Sequence, residues 1–218
     1  MNRYSLLPHL SYAIVDDTAI FLDLQADRYF ELDQRLFADL VEFDAAAGMP
    51  RDEAARRLLE AGLIRAGIGQ TGATEIRVRL PSVSGGQGEA APPRGSLLGS
   101  LEVALLVAAA IVRLRLGGLA AILDRFTAVR AGSDPVLVAA FAQQFDLYRR
   151  RVPIPRRCLP DSIALAWFLR RRSLTSTLVI GVTTLPFAAH CWIQDLDQVL
   201  NDDADMVAGF APILARSV

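Results

Sequence analysis

A run of small and polar residues at 83–96, VSGGQGEAAPPRGS, divides the 218-residue chain. Its glycines and prolines favour turns and irregular backbone, and it offers almost nothing apolar for a helix or strand to bury. We interpret it as a flexible linker between a unit at 1–82 and a unit at 97–218. Because 52% of the chain is hydrophobic, each unit has enough apolar residues for a core.

The first unit is predicted to be three strands followed by two helices. Alternating apolar stretches within 11–32, SYAIV, TAIFLDL and RYFEL, are separated by turn residues and predict an antiparallel meander. Asp33 is a typical N-cap for a first helix that ends at Gly48. A second helix follows Pro50, carries acidic residues in its first turn and ends at Gly62. This βββαα order is typical of a small winged-helix-like module.

The second unit is predicted to be helices followed by a small antiparallel sheet. Two helical stretches flank Gly117 and Gly118, and a third begins after the N-cap Asp134. A fourth helix is predicted over 159–172. The stretches STLVIGVTT, AAHCWIQD and QVLND then predict three strands, so the unit belongs to the α+β class.

Composition excludes several classes of protein. All 23 basic residues are arginine, which excludes a P-loop lysine and a Schiff-base lysine. Two cysteines do not make a disulfide framework, and the N-terminus does not look like a secretory signal. We therefore expect a cytoplasmic protein without a cofactor.

Charge and hydropathy give two further expectations. Residues 1–82 carry 9 arginines and 13 acids, and the rest carries 14 arginines and 11 acids, so the winged-helix-like unit is the acidic one. That disfavours DNA binding, and we expect no nucleic-acid partner. The apolar run at 103–112 is half the length that a membrane span needs, so it predicts a buried helix and no membrane partner.

Cys158 stands where the fourth helix begins, in PRRCLPDSIALAW. Unpaired backbone N–H groups and the helix dipole at such a position favour a thiolate and can stabilise an oxyanion. His190, one of two histidines, is the candidate base. Asp202, expected on the next strand, is placed to orient it, and Asp203 and Asp195 are the alternatives.

The alternative to catalysis is a structural role for the same residues. A lone cysteine in an apolar region is usually a small core residue, and an isolated histidine is usually structural. Cys191 is expected to face away from His190 into the core, and Trp167 and Trp192 are also expected in the core. Two cysteines and one usable histidine are too few soft ligands for zinc, so no metal site is predicted.

These residues resemble the transglutaminase-like cysteine protease of lasso-peptide biosynthesis, the B protein family. The resemblance rests on Cys-Leu-x-x-Ser-x-Ala-Leu from Cys158, VIGV before Pro186-Phe187-x-Ala-His-x-Trp, and Val-x-Asn-Asp ending at Asp202. It implies a transglutaminase-like, papain-like domain. The family usually has Glu where this chain has Gln194, so a carboxylate there is not essential to the interpretation.

The first unit resembles, more loosely, the PqqD-like recognition element that binds leader peptides. The stretch FLDLQADRYFELD and the helix ending LLEAGLI carry this likeness. The resemblance implies leader binding. The last strand of the meander, 28–32, is expected to have an open edge to which an extended leader can add, with a groove against the helix at 51–61. The expected leader contacts are Arg28, Tyr29, Phe30, Glu31, Leu58, Leu59 and Leu63, of which several are also plausible core residues. Two helices are visible where the family commonly has three.

Together the resemblances imply a peptidase that binds the leader of a lasso-peptide precursor and cuts it off. The freed amine would pass to an asparagine-synthetase-like, ATP-dependent lasso cyclase, which is the second expected partner. The alternatives are an acyl transferase with the same Cys-His-Asp set and a leader-binding adaptor with little or no proteolysis. The arginine runs at 149–151, 156–157 and 170–172 are interpreted as solvated helix ends or as a docking surface.

Overall fold

The computed structural model describes residues 3–68, 83–84, 96–126 and 133–218. The N-terminal unit, residues 3–68, is built from β1 (Tyr4–Leu6), β2 (Leu10–Val15), β3 (Thr18–Asp23), β4 (Arg28–Glu31), α1 (Gln34–Ala45), α2 (Asp52–Glu60) and β5 (Ile64–Ala66). The C-terminal unit is built from β6 (Val83–Ser84), α3 (Leu97–Leu123), α4 (Pro135–Arg149), α5 (Cys158–Arg170), β7 (Thr177–Thr184), β8 (Phe187–Asp195), β9 (Gln198–Val199), α6 (Ala204–Ala208) and β10 (Ala211–Ser217).

Strands β2, β3 and β4 form the predicted antiparallel meander, in that spatial order. Asp16 and Asp17 have positive φ in the β2–β3 turn, and Asp27 has positive φ in the β3–β4 turn. Short polar side chains tolerate this backbone better than most, which is why aspartates mark both turns. The sequence did not indicate β1 and β5, which pair as a separate two-stranded antiparallel sheet.

The predicted helix starts are confirmed at α1 and α4. The Asp33 carboxylate accepts hydrogen bonds from the N–H groups of Arg35 and Leu36, and Asp134 accepts one from Val136. Each cap satisfies first-turn donors that have no partner within the helix. The break predicted at Gly117 and Gly118 is a kink within α3, because Gly118 has φ 69° and ψ −179°.

The C-terminal unit contains a five-stranded sheet in the order β10-β7-β8-β9-β6. Strands β7 and β8 form a long antiparallel hairpin, in which His190 lies opposite Gly181. Helix α5 packs on this hairpin. The third predicted strand is shorter than expected, since β9 ends at Val199 and leaves Asp202 in the turn before α6. Neither α6 nor β10 was predicted from the sequence.

The expectation that residues 103–112 form a buried helix holds for one face of the helix only. Val103, Val107 and Ala110 are buried, but the other side of α3 carries exposed apolar residues, among them Leu105 and Leu116. At 27 residues, α3 is long and apolar enough to cross a membrane, by length and composition only. Of its most apolar 18-residue stretch, 22% is buried. Its buried face packs against α4 and α5.

The two units share one hydrophobic core. Ala13, Ile20, Leu22 and Leu24 of the meander pack in the same cluster as residues of α3, α4, α5 and the β7–β8 hairpin. The opposite face of the meander packs on α1 and α2 in a second core. The meander is therefore covered on both faces, with the C-terminal unit on one side and its own helices on the other.

The predicted linker at 83–96 lies largely outside the described residues. Its first two residues, Val83 and Ser84, form β6, which runs parallel to β9 at the edge of the sheet. Its last residue, Ser96, caps α3 by accepting from the N–H of Gly99. The division into a recognition module, a linker and a catalytic domain remains a prediction.

Candidate active site

Helix α5 begins at Cys158, and backbone N–H groups of its first turn have no acceptor within the helix. Arg157, the N-cap, has an extended backbone, and its side chain makes no capping bond. Pro160, the third helical residue, has no N–H, so the N–H groups of Cys158 and Leu159 are the ones that lack an intrahelical acceptor. Leu159 directs its N–H at the Cys158 sulfur, which also receives a hydrogen bond from the backbone of Cys191.

His190 lies on β8 and forms a hydrogen bond with Asp202. Its Nε2 is 2.6 Å from Oδ2 of Asp202, and both side chains are mostly buried. Nε2 is therefore engaged, and Nδ1 is the ring nitrogen left for the Cys158 thiol, with which His190 also forms a hydrogen bond. The ring packs against Phe210 and Trp192, at centroid distances of 5.3 and 6.2 Å, which fix its plane.

The pKa values of the three groups shift in directions that favour an ion pair. The Asp202 carboxylate, and then the Cys158 sulfur, raise the pKa of His190 from 6.5 to about 9. The hydrogen bond from His190 holds the pKa of Cys158 below its usual value, and the same ring lowers the pKa of Asp202. Each of the two groups therefore favours the charged form of the other, a thiolate next to an imidazolium.

The three side chains border an open cavity of about 310 Å³. Phe145 and Ala142 of α4 form part of its wall, and Leu200 and Asn201 form another part. The remaining described lining residues are charged: Asp146, Arg149, Arg156, Arg157 and Asp161. A cavity of this volume accommodates a few peptide side chains beside the thiol.

A buried hydrogen-bond network joins the elements that carry the three residues. The fully buried Ser162 hydroxyl donates to the backbone carbonyl of Cys191, at 3.0 Å. Asn201 donates to the same hydroxyl at 2.9 Å and accepts from the N–H of Ile193 at 2.8 Å. Ser162 is one turn after Cys158, Cys191 follows His190, and Asn201 precedes Asp202. The network thus fixes the helix, the strand and the turn relative to one another.

Arg149 holds the segment that leads into α5. It is 2% exposed, and its Nε donates to Asp161 at 2.8 Å. Its other nitrogens donate to the carbonyls of Val152, Ile154 and Pro155. Interpreting the run at 149–151 as a solvated helix end is therefore wrong for Arg149, which is a buried structural residue.

The comparisons with known proteins assign a family. Residues 103–215, more than half of the chain, match the family model described as the transglutaminase-like superfamily, and they contain the whole Cys158, His190 and Asp202 set. The chain belongs to the transglutaminase-like superfamily.

A curated relative gives a narrower likeness. The microcin J25-processing protein McjB of Escherichia coli is 45% identical over 49 residues, which is 22% of this chain. The match spans 24% of the relative, so the chain covers less than a quarter of the length of the curated relative that it matches. No solved structure matches the chain.

In this transglutaminase-like protein, the two acids predicted as alternatives to Asp202 lie in other environments. Asp203 caps α6 by accepting from the N–H of Asp205, and the pKa of Asp195 is raised by burial. Cys191 and Trp192 are buried, as expected. Gln194 accepts from the Trp192 indole and donates to the Leu196 carbonyl, and a carboxylate could not make the second bond.

The candidate leader contacts do not all lie at an accessible surface. Leu58 and Leu63 are 0% and 3% exposed in the core of the N-terminal unit, so we withdraw them as leader contacts. Phe30 packs in the same core, stacked on Phe21. Tyr29 faces the other way and packs against the C-terminal unit, with its ring 5.5 Å from that of Phe187. Arg28, Glu31 and Leu59 are exposed.

The described residues contain no group of three or more His, Cys, Asp or Glu side chains arranged to hold an ion. Cys158 and Cys191 are both free thiols, and burial raises the pKa of Cys191, which disfavours a second thiolate beside the first.

Proposed function

We propose that the protein is a cysteine peptidase that removes the leader from a lasso-peptide precursor. The observation that carries the proposal is the contact of Cys158, His190 and Asp202 at one cavity, with a thiol at a helix N-terminus. The partial likeness to a microcin J25-processing protein supports a precursor peptide as the substrate.

The first half of the reaction forms a thioester. The Cys158 thiolate attacks the carbonyl carbon of the scissile bond, and the oxygen gains the negative charge. First-turn N–H groups of α5, with the helix dipole, stabilise that oxyanion. The His190 imidazolium then gives its proton to the departing amine, which leaves as the free N-terminus of the core peptide.

The second half of the reaction releases the leader. Neutral His190 takes a proton from water, the hydroxide attacks the thioester, and the thiolate departs as the leader carboxylate forms. Asp202 stays ionised and keeps the ring oriented through its 2.6 Å hydrogen bond. The free core amine is the group that an ATP-dependent cyclase would join to a side-chain carboxylate, so we propose such a cyclase as the partner.

The proposed leader site is the edge of β4. In the described part of the chain, β4 pairs only with β3. Leu32 donates to Ala19 of β3, so by strand alternation the N–H groups of Tyr29 and Glu31 point to the open edge. An added leader strand would lie beside Tyr29, which contacts the strand that carries His190.

The decisive test is to incubate the protein with a lasso-type precursor and weigh the products. Cys158→Ala should abolish cleavage while leader binding persists. Cys191→Ala is the matched control and should keep most activity, because that side chain is buried and only its backbone reaches the thiol. Cleavage by the Cys158→Ala protein would exclude this nucleophile. The product masses also separate hydrolysis, which adds water, from acyl transfer to an amine.

Strand addition has its own test at β4. Glu31→Pro removes an outward-facing N–H, and it should weaken leader binding measured by fluorescence anisotropy. Glu31→Ala is the control, since it removes the side chain and keeps the N–H. Equal affinity of both variants and the parent would exclude strand addition at β4 and leave the peptidase proposal intact.

A further inference from the structure

Ser162 differs from the other buried serines in the described part of the chain. Four serines are buried there, and three of them have hydroxyl groups without a hydrogen-bond partner: Ser5, Ser11 and Ser176. The Ser162 hydroxyl, at 0% exposure, donates to the Cys191 carbonyl and accepts from the Asn201 amide. A buried hydroxyl lowers stability unless it is hydrogen-bonded, and this one uses its donor and an acceptor site. Two other elements therefore set its orientation.

Both backbone polar groups of Cys191 point at α5. Its N–H donates to the Cys158 sulfur, and its carbonyl accepts from Ser162 at 3.0 Å. Cys158 and Ser162 are four residues apart in α5, so they lie on the same side of the helix, one turn from each other. One turn of the helix thus holds both polar groups of a single strand residue. The N–H that meets the thiolate belongs to the residue that Ser162 fixes.

Asn201 replaces a strand where β9 ends. Leu200 donates to the Ile193 carbonyl at 2.8 Å, as in a regular antiparallel pair. In such a pair the Ile193 N–H would donate back to the Leu200 backbone, but it donates to Asn201 Oδ1 at 2.8 Å. The Asn201 amide nitrogen then reaches Ser162. The side chain therefore completes the pairing of β8 while the backbone leaves the sheet.

This departure from the sheet brings Asp202 to His190. Asp202 Oδ2 is 2.6 Å from His190 Nε2, and Oδ1 accepts from the N–H of Asp203 at 2.9 Å. A primary amide at position 201 can accept and donate at the same time. A carboxylate there could not donate to Ser162, and an apolar side chain could do neither.

We propose that Ser162 and Asn201 are positioning residues of the candidate active site. Ser162 keeps the Cys191 N–H on the thiolate, and Asn201 keeps the Asp202 carboxylate on His190. Each acts through a neighbour, since neither is among the groups that exchange protons or attack the substrate. These roles rest on the proposed function only where cleavage is measured, because both can be followed as proton binding.

The first test follows the titration of Cys158 in full-length protein by its rate of alkylation with iodoacetamide at different pH. All forms carry Cys191→Ala, so Cys158, which is exposed, is the only thiol. Ser162→Ala should raise the pH of half-maximal rate by about one pH unit, because the thiolate loses its well-placed N–H donor. Ser176→Ala is the matched control, a buried serine without a hydroxyl partner, and should not move the midpoint.

The other titratable and charged groups around the thiol are the same in every form of this test. They are Tyr29, Asp146, Arg149, Arg156, Arg157, Asp161, His190 and Asp202. A change of the midpoint in Ser162→Ala therefore reports the loss of the hydroxyl and not the loss of a charge.

The second test follows the titration of His190 by the NMR signals of its ring protons. The chain has two histidines, so a His9→Gln form assigns the signals. All forms carry Cys158→Ala, which leaves Asp202, the largest cause of the raised His190 pKa, as the partner of the ring. Asn201→Ala should lower the midpoint by about one pH unit or more, toward the usual 6.5, whereas Ser162→Ala should leave it in place.

The two titrations distinguish positioning from a general loss of structure. A general loosening of the site would move the His190 titration in Ser162→Ala as well, and it would lower the unfolding temperature. A parent-like Cys158 midpoint in Ser162→Ala refutes the role of Ser162, and a parent-like His190 midpoint in Asn201→Ala refutes that of Asn201. The arms are independent, so a variant that does not fold leaves the other to decide.

Cleavage of a lasso-type precursor separates these roles from the proposed function. Ser162→Ala should lower kcat without a matching change in KM, and it should move the acid limb of kcat/KM by the same amount as the alkylation midpoint. A parent that titrates as expected and cuts no precursor would refute the peptidase and keep the positioning roles. A parent that cuts the precursor while both variants titrate like it would keep the peptidase and overturn them.

Discussion

His190 lies between a carboxylate and a thiol, and both contacts favour its protonated form. The pKa of His190 rises to about 9 and that of Cys158 falls, so the thiolate and the imidazolium coexist between these two values. Within that interval the pair holds the nucleophile and the proton for the leaving amine at the same time. The lowered pKa of Cys158 extends this interval to lower pH, and the raised pKa of His190 extends it up to about 9.

We expect a bell-shaped dependence of kcat/KM on pH. As pH rises through about 9, the imidazolium of the free enzyme loses its proton, so the leaving amine is no longer protonated and the rate falls. As pH falls through the lowered pKa of Cys158, the thiolate becomes a thiol and the rate falls again. Ultraviolet absorbance of the thiolate should follow the acid limb in the parent and vanish in Cys158→Ala. An alkaline limb near 6.5 would contradict this ion pair.

Asp202→Ala should lower kcat by about a hundredfold or more, because the ring loses its orienting partner. It should also move the alkaline limb to lower pH, since the hydrogen bond to Asp202 is the largest cause of the raised His190 pKa. Asp203→Ala is the control. It removes the cap of α6, which should cost about 1 kcal/mol of stability with little change in rate. A larger rate loss in the control than in Asp202→Ala would assign orientation to Asp203.

At the scale of elements, the position of Cys158 depends on the segment between α4 and α5. Arg149 at the end of α4 joins three carbonyls of that segment to Asp161 in the first turn of α5. Asp161 also accepts from the N–H of Arg157 at 3.2 Å. One buried cation thus sets where α5 begins, and with it the direction of the thiol.

Arg149→Gln should lower the free energy of unfolding by about 3 kcal/mol or more, because it leaves Asp161 and several carbonyls without their buried partner. Urea unfolding measures the loss. Arg150→Gln is the adjacent control. Arg150 is exposed and pairs with Asp146 one turn away, so its removal should cost under about 1 kcal/mol. Equal costs for the two variants would show that the buried contacts of Arg149 contribute nothing.

Much of this arrangement could be predicted from local patterns. Asp33 and Asp134 stand before apolar residues at helical spacing, and both cap helices where the sequence indicates them. The burial of Arg149 was not predicted, although the sequence contained a signal for it. It continues the buried stripe of Val138, Ala142 and Phe145 on α4, and the adjacent arginines concealed that periodicity.

Elements that depend on distant contacts could not be predicted in this way. Helix α6 has five residues, too few for a clear periodicity, and β10 is stabilised by pairing with β7, which lies about thirty residues earlier in the sequence. Asp202 lies beside His190, as expected, but it was predicted on a strand and lies in a turn, because β9 ends at Val199. The outer face of α3 could not be predicted either, since composition does not distinguish a buried side from an exposed one.

At the scale of the whole molecule, the two units are joined by more than a linker. The meander contributes Ile20 and Leu22 to the core that also contains α5 and the β7–β8 hairpin. At the rim, Thr184 donates to Asp16 at 2.7 Å, and Tyr29 meets Phe187. An interface built on apolar burial is less sensitive to salt than one built on the opposite net charges of the two units.

We therefore expect residues 1–82 and 83–218, produced as two polypeptides, to associate rather than to need a tether. The second piece starts at residue 83 because Val83 and Ser84 pair with β9. Coexpressed, the pieces should copurify through moderate salt and cleave the precursor, whereas each piece alone exposes the shared apolar face and should aggregate. Leu22→Asp in the first piece should abolish copurification, because it buries a charge in the shared core, and Asp16→Ala at the rim should not. Two pieces that stay folded and separate when mixed, and that regain activity only at high concentration, would instead support a flexible tether between independent modules.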